Sequence, residues 1–142
     1  MKNSKEVLSS ILKTSQMGQV GIRSVQGAAQ KDEMKQALDQ QLQRYCAIEN
    51  EAHRIADSRG WQLEELRPTA KMMATMSARM RLQGRNKDSK IAALLVTGNT
   101  KGMIKGLKNA HRYHGRDARI RELSGRLLDY ENENIRLMEP FI

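Results

Sequence analysis

Residues 98–106 read Gly98-Asn-Thr-Lys-Gly102-Met-Ile-Lys-Gly106, which places three glycines four residues apart in an otherwise helical pattern. This spacing puts the three glycines on one face of a helix. Because each glycine inside a helix costs about 1 kcal/mol relative to alanine, the set needs a structural reason. The simplest reason is a second helix backbone at close range, and Gly18 and Gly21 interrupt the first helical segment in the same way. The stretch therefore predicts a compact helical bundle whose two halves meet at their glycines.

The composition sets bounds on the fold and on the compartment. The chain of 142 residues has the length of one domain, 1–142, and can bury a real core. Only five residues are aromatic, so aliphatic side chains and nine methionines must fill that core. The single cysteine, Cys46, excludes an intramolecular disulfide and a thiolate metal cluster. The polar start and the lack of a long apolar stretch predict a cytoplasmic protein without signal peptide or membrane span.

Positive charge is concentrated in the middle of the chain. Residues 1–66 carry nine basic and nine acidic residues, whereas residues 67–126 carry fifteen basic and three acidic residues, a net charge of +12. Such a segment can attract nucleic acid or another anion, but we favour the alternative that its side chains only solvate helix faces. Without a recognition motif, any nucleic-acid binding should be weakly sequence-specific and strongly salt-dependent. The candidate anion-binding residues are Arg79, Arg81, Arg85, Lys87, Lys90, Lys101, Lys105, Lys108 and Arg112.

Hydrophobic periodicity predicts four long helices and one short helix. The first helix follows a cap at Asn3 or Ser4, and the second covers about 31–59 and ends at Gly60 as a left-handed cap. Pro68 begins the short helix, which continues to about residue 83, and Asp88 or Ser89 caps the next helix, which ends near 112. The seam of the last helix reads Ile120, Leu123, Leu127, Tyr130, Asn134, Leu137 and Phe141. The predicted fold is all-α, an antiparallel four-helix bundle of two helical hairpins joined by a crossover with a short fifth helix.

Two segments resemble the ferritin-like superfamily. The segment Tyr45 to Trp61 resembles the end of the second helix of that superfamily, and Arg59-Gly-Trp61 resembles the hairpin end of ferritin-like spore-coat proteins. The stretch Leu127 to Ile142, with Asp129-Tyr-Glu-Asn-Glu-Asn-Ile, resembles the last helix of short uncharacterised bacterial ferritin-like proteins. The resemblance covers most of the chain and implies a ferritin-like bundle, while leaving the function open.

The ligand pattern of a di-iron bundle is missing from this sequence. Such a centre takes a glutamate from each of two helices and a Glu-x-x-His from each of the other two. The first predicted helix has no acidic residue over 14–29, the fourth has none over 91–110, and the last has no histidine. The sequence therefore predicts neither a metal centre nor a cofactor.

Three smaller candidates have simpler interpretations. Glu49 and His53 lie one helical turn apart and could ligate a lone metal, but an ion pair is the favoured interpretation. His111 and His114 have no further ligands nearby in sequence, which favours cation placement at a helix C-terminus. Cys46 has no base within hydrogen-bond reach and is not expected to be catalytic.

Two further groups of residues are expected to lie inside the bundle and at its end or at a subunit interface, respectively. Tyr45, Tyr130 and Asn134 could form a small internal polar network or could fix the helix register. Met72, Met76 and Met80, beside Met73, form a stripe on the short helix. We expect the stripe to cover the bundle end or a subunit interface, with contact to an anionic membrane surface as the alternative.

No catalytic motif accompanies these features. We therefore expect a non-catalytic protein with a structural or binding role that forms homo-oligomers. The alternatives are sequence-nonspecific binding of nucleic acid or anions by residues 67–126, and a degenerate ferritin-like metal-binding protein. The sequence indicates no small-molecule ligand.

Overall fold

The computed structural model describes residues 2–142, and helices account for most of that range. Two short 3₁₀ turns, Gln26–Ala28 and Glu139–Phe141, follow the first and last helices. The described chain confirms the all-α class and the predicted order of four long helices and one short helix. The five helices are α1 (Ser4–Val25), α2 (Asp32–Arg59), α3 (Pro68–Arg81), α4 (Lys87–Arg112) and α5 (Ala118–Met138).

The helix ends follow the local chemistry of the sequence. The Asn3 side chain accepts a hydrogen bond from the Glu6 backbone N–H at 2.9 Å and so caps α1. Gly60 ends α2 in the left-handed region with a φ of 67°, where glycine is unstrained. Pro68 occupies the first turn of α3, as predicted. Asp88 does not cap α4, because the helix already begins at Lys87. Its carboxylate instead accepts hydrogen bonds from the backbone N–H groups of Gln30 and Lys31, just before α2.

The helices pack as two sequential pairs. The most extensive contacts join α1 to α2 and α4 to α5, while α1 also contacts α4 and α2 contacts α5. The Lys2 backbone N–H donates to the Arg112 carbonyl at 2.9 Å, so the start of α1 lies beside the end of α4. An ion pair of 2.7 Å between Arg59 and Asp117 joins the end of α2 to the start of α5. Neighbouring helices therefore run antiparallel, and α3 packs mainly on α1.

The core is aliphatic, as the scarcity of aromatic residues predicts. Tyr45, at 4% exposure, is the only aromatic residue within the buried core of residues 2–142. None of the helices in this range is both long and apolar enough to cross a membrane. The largest fully buried apolar side chains are Leu8, Leu12, Ile22, Met34, Leu38, Ile48, Ile55, Ile91, Ile120, Leu123 and Met138.

The structure corrects two expectations about buried residues. The four methionines of α3 are 59–72% exposed, so they do not help to fill the core, while a subunit interface on this face stays a prediction. On α5, Glu131 and Met138 are buried where the predicted seam has Tyr130 and Leu137. That seam assumed a seven-residue repeat, whereas a straight α-helix has 3.6 residues per turn, so its buried face drifts toward the next residue.

Candidate functional site

A cleft of about 430 Å³ lies between α1, α3 and α4. We call it the glycine cleft, because Gly18 and Gly21 of α1 and Gly98 and Gly102 of α4 line it. Its volume falls within the range of small-molecule sites, roughly 300–1,000 Å³. Its walls are mostly apolar and include Met17, Ile22, Leu66, Ala78, Leu94 and Leu95.

The glycines make room for side chains and for the cleft itself. A Cβ at Gly18 would lie 2.6 Å from the Tyr45 ring, and one at Gly102 would lie 2.6 Å from Glu131 Oε1. A Cβ at Gly106 would lie 2.8 Å from a methyl carbon of Leu128. The atoms nearest these positions are therefore side-chain atoms, which corrects the prediction that a second helix backbone approaches there.

The predicted approach of a second helix backbone is also wrong at Gly21 and Gly98, for a different reason. No atom of residues 2–142 lies within 4 Å of a Cβ built at either position. Both residues line the cleft, so they border open space and pack against nothing. The glycine positions therefore divide into two kinds: those filled by a neighbouring side chain and those left open.

The floor of the cleft holds a buried polar cluster. The Tyr45 hydroxyl lies 2.6 Å from Asn99 Oδ1 and 2.9 Å from Glu131 Oε2. Glu131 is only 1% exposed. Burial raises its pKa to about 8, although the hydrogen bond from Tyr45 works in the opposite direction. Burial first, and the charge of Glu131 second, raise the pKa of Tyr45 well above its ordinary value.

At neutral pH, the three groups of the cluster can satisfy one another. A tyrosine hydroxyl carries a single proton, so it donates to one acceptor at a time. With Glu131 protonated, its O–H donates to Tyr45 Oη, and the Tyr45 O–H donates to Asn99 Oδ1. The cluster is then neutral and forms a chain of two hydrogen bonds beneath the cleft.

The predicted internal network is correct only at Tyr45. Tyr130 is half-buried, and its ring lies 5.3 Å from the guanidinium carbon of Arg44. Asn134 is fully buried near the Tyr45 hydroxyl, yet neither of its amide atoms forms a hydrogen bond of acceptable geometry within residues 2–142. Sequence reasoning misses Asn99 and Glu131, although a period of 3.6 residues on α5 would have indicated Glu131.

Gln41 of α2 also lines the cleft, and it is the least satisfied polar group there. Its side chain is 0% exposed, and neither its amide nitrogen nor its amide oxygen has a hydrogen-bond partner in the described chain. A buried polar group without a partner costs about 1–3 kcal/mol. A turn of the Gln41 side chain toward the cleft would let a bound molecule supply the missing hydrogen bonds.

The predicted anion-binding residues are distributed over three environments. Arg81, Lys101 and Lys105 line the glycine cleft. Lys87 and Lys90 donate hydrogen bonds to backbone carbonyls just before α4. Within residues 2–142, none of the nine forms an ion pair with a carboxylate. The remaining members lie exposed on the surface, namely Arg79, Arg85, Lys108 and Arg112.

A second polar group surrounds His53 on the outer side of α2. Ligand atoms of Glu49, His53 and Glu65 lie within 4.8 Å of one another, with His53 Nε2 at 3.9 Å from Glu49 and 3.7 Å from Glu65. Gln16 and Gln19 donate to the two oxygens of Glu49 at 2.8 and 2.9 Å. Partial burial raises the pKa of Glu49, but these hydrogen bonds and His53 outweigh burial and lower it. Helical periodicity could not indicate Glu65, because it lies in the connector before α3.

The other single candidates have ordinary surroundings. The Cys46 thiol donates to Gln19 Oε1 at 3.4 Å. His111 and His114 are exposed near the end of α4. These contacts add no reactive group to the glycine cleft.

Comparison with protein families, curated proteins and solved structures finds no match to this chain. The candidate function therefore depends on the chemistry of the cleft. Small-molecule sites usually combine apolar walls with a few polar groups at fixed positions. The glycine cleft has this form, with a hydrogen-bonding floor at Gln41 and Tyr45 and cationic side chains at its edge.

Proposed function

We propose that this protein is a non-catalytic, ferritin-like four-helix bundle that binds a small amphipathic molecule in the glycine cleft. The main support is Gln41, a fully buried amide without a partner in residues 2–142, at the base of a mostly apolar cleft. An apolar body would cover the walls, and a polar atom would complete the hydrogen bonds of Gln41. Binding would then remove an energetic cost that the free protein carries.

The open glycines support the same function. Gly21 and Gly98 each cost about 1 kcal/mol of helix stability relative to alanine. No neighbouring atom requires a glycine at either position, because each has open space within 4 Å of its Cβ position. Any larger side chain there would extend into the cleft. The two glycines are therefore explained if the cleft has to remain open for a ligand.

The polar floor supports binding rather than catalysis. Glu131 is largely neutral near pH 7 because burial raises its pKa to about 8. Tyr45 is neutral there like any tyrosine, and burial raises its pKa further. A nucleophile needs a nearby base and an activating environment. Tyr45 keeps its proton because its pKa is raised, and no cysteine or histidine of residues 2–142 lines the cleft. We infer that Tyr45 and Glu131 fix the shape and polarity of the floor.

Self-association in the cytoplasm is part of the proposal. The methionines of α3 form an exposed apolar face beside basic residues, and we propose a second copy of this chain as its partner. Sedimentation equilibrium of the wild-type protein and of a Met72→Ser/Met76→Ser variant would test this. A dimer that dissociates in the variant supports the proposal, and a wild-type monomer at high concentration contradicts it.

Titration with N-phenyl-1-naphthylamine, a neutral dye that fluoresces in apolar sites, tests ligand binding. We expect one dye molecule to bind per chain of the wild-type protein. Gly21→Leu and Gly98→Leu should each prevent binding, because the new side chain fills the cleft. Both variants should remain folded, since leucine is the better helix former and has space at either position.

Gly125→Leu is the matched control. Gly125 is exposed on α5, has nothing within 4 Å of its Cβ position and does not line the cleft. This variant makes the same change in helix propensity and should bind the dye like the wild-type protein. Equal binding by Gly98→Leu and wild type, or no wild-type binding, would contradict the proposed function.

Nucleic-acid binding is the second candidate function. It is supported by the nine candidate cations, none of which forms an ion pair with a carboxylate in the described chain. Lys101, Lys105, Lys108 and Arg112 recur every three or four residues along α4. A cationic stripe of this kind is sufficient for phosphate contacts that do not depend on base sequence.

A further inference from the structure

We propose that the ligand of the glycine cleft is an elongated amphipathic anion whose charged head group is held by Lys13 and Lys105. This inference rests on the proposed function and adds the chemical class of the ligand. It requires three features: a long cleft, an excess of positive charge at one end, and a different chemistry at the other end.

The cleft is long because it follows two antiparallel helices. The start of α1 lies beside the end of α4, so Lys13 and Lys105 lie toward one end of the cleft. Ile22 and Leu95 lie toward the opposite end. At 1.5 Å per residue, the rise along α1 from Lys13 to Ile22 is about 14 Å. An extended chain fits this shape better than a compact ring system.

Lys13 and Lys105 also line a neighbouring recess of about 480 Å³. The acidic residues of that recess are Glu6 and Glu64. The recess thus has four lysines and two glutamates, which leaves an excess of two positive charges. The four lysines are Lys2, Lys5, Lys13 and Lys105.

Existing partners leave these ammonium groups available to a ligand. Lys13 pairs with Glu64 at 3.1 Å, but the Glu64 side chain is 75% exposed and can turn away into solvent. Such exposed pairs contribute little to stability. Lys2 donates to Asn109 at 2.8 Å and is therefore already oriented by the protein. Lys13 and Lys105 are the two ammonium groups common to the cleft and the recess.

The surroundings of Lys105 favour an added negative charge. Neighbouring protein atoms remove water from its ammonium group, and the charges of Lys13 and Lys2 repel it, so the pKa of Lys105 is lowered. An anion bound between Lys13 and Lys105 would offset the repulsion as well as the lost hydration. A neutral head group of the same size would offset neither the repulsion between the lysines nor the lost hydration.

The opposite end of the cleft has a different chemistry. A hydrogen bond between Gln26 of the turn after α1 and Asp39 of α2 shows how the two helices align. This alignment places Gln41 near the end of α1, far from Lys13. A ligand that spans the cleft would therefore carry its anion at one end and a hydrogen-bonding group near Gln41 at the other.

Isothermal titration calorimetry with two matched probes tests this assignment. We would titrate ω-hydroxydecanoate and α,ω-decanediol, which differ only in one charged head group, below their critical micelle concentrations. We expect the wild-type protein to bind the acid about tenfold more tightly than the diol, as for a charge-assisted hydrogen bond. The preference should nearly disappear in Lys13→Gln/Lys105→Gln, while the affinity for the diol should change little.

Lys108→Gln/Arg112→Gln is the matched control, because it removes two charges from α4 outside the cleft and the recess. This variant should retain the preference for the acid. Equal affinities of the wild-type protein for the two probes would overturn the proposal that the ligand has an anionic head group, but would not contradict binding in the cleft. A preference that persists in Lys13→Gln/Lys105→Gln would also overturn the assignment. Binding of neither probe would overturn both this inference and the proposed function.

Discussion

Replacing Glu131 by glutamine should make the fold more stable at alkaline pH. Glu131 is 1% exposed, and burial raises its pKa from 4.5 to about 8. Between these values the folded state retains a proton that the unfolded state has released. The stabilisation is therefore complete below pH 4.5 and is lost as the pH rises toward 8. Glutamine is neutral at every pH and nearly isosteric, so it removes this dependence.

The magnitude follows from the interval between the two pKa values. At roughly 1.36 kcal/mol per pH unit, the interval corresponds to about 5 kcal/mol of unfolding free energy lost by pH 8. In Glu131→Gln, the amide N–H can take over the hydrogen bond that protonated Glu131 donates to Tyr45 Oη, while the Tyr45 O–H still donates to Asn99 Oδ1. We expect the variant to be close to wild type at pH 5 and several kcal/mol more stable at pH 9.

Urea unfolding followed by far-ultraviolet circular dichroism at pH 5, 7 and 9 measures this difference. Other titrating groups are the same in both proteins, so the difference between the two curves isolates Glu131. Glu133→Gln is the control, since Glu133 is an exposed residue of α5 that pairs with Arg44 at 2.7 Å. Parallel curves for wild type and Glu131→Gln from pH 5 to 9 would refute the reasoning.

Further predictions test the two kinds of glycine, the polar floor and the basic segment. Gly98→Ala should raise the free energy of unfolding by up to about 1 kcal/mol, because alanine is the better helix former. Gly102→Ala should lower the free energy of unfolding by about 1–2 kcal/mol, because the alanine Cβ would lie 2.6 Å from Glu131 Oε1. Equal effects of these two substitutions in urea unfolding would contradict the distinction between filled and open glycine positions. Tyr45→Phe should cost about 1–2 kcal/mol, because Asn99 Oδ1 loses its donor and the protonated Glu131 loses its acceptor. Tyr130→Phe should change the free energy of unfolding by less than about 0.5 kcal/mol. A small effect of both substitutions would exclude a strong buried hydrogen bond at Tyr45. If the basic segment binds nucleic acid, fluorescence anisotropy with duplex DNA and RNA should show an affinity that falls steeply with salt; no binding at low salt would eliminate that function.

The sequence was sufficient to predict the helices, because their signals are local. The cap at Asn3, the left-handed end at Gly60 and the start at Pro68 each depend on residues within one turn. The aliphatic core likewise follows from composition and periodicity. These features required no knowledge of how the helices pack together.

The site could be predicted only in part, because it depends on contacts between helices. The sequence places glycines on facing stretches, but it cannot tell whether a side chain, a backbone or open space lies opposite. Tyr45 fills the space beside Gly18, whereas no atom of the described residues fills the space beside Gly98. Glu131 was missed because a small error in helical period moves the buried face by one residue. Only the packed helices reveal that Gln41 lacks a partner.

The glycine cleft can be tested for ligand binding by two-dimensional ¹H–¹⁵N NMR of the protein titrated with ω-hydroxydecanoate. Glycine amides give well-separated signals, so each position reports on its own surroundings. We predict that the Gly21 and Gly98 amide signals and the Gln41 side-chain signals shift together and saturate at one equivalent, while Gly125 stays unchanged. Unchanged Gly21 and Gly98 signals at saturating probe, or shifts confined to the outer face of α3, would contradict binding in the cleft.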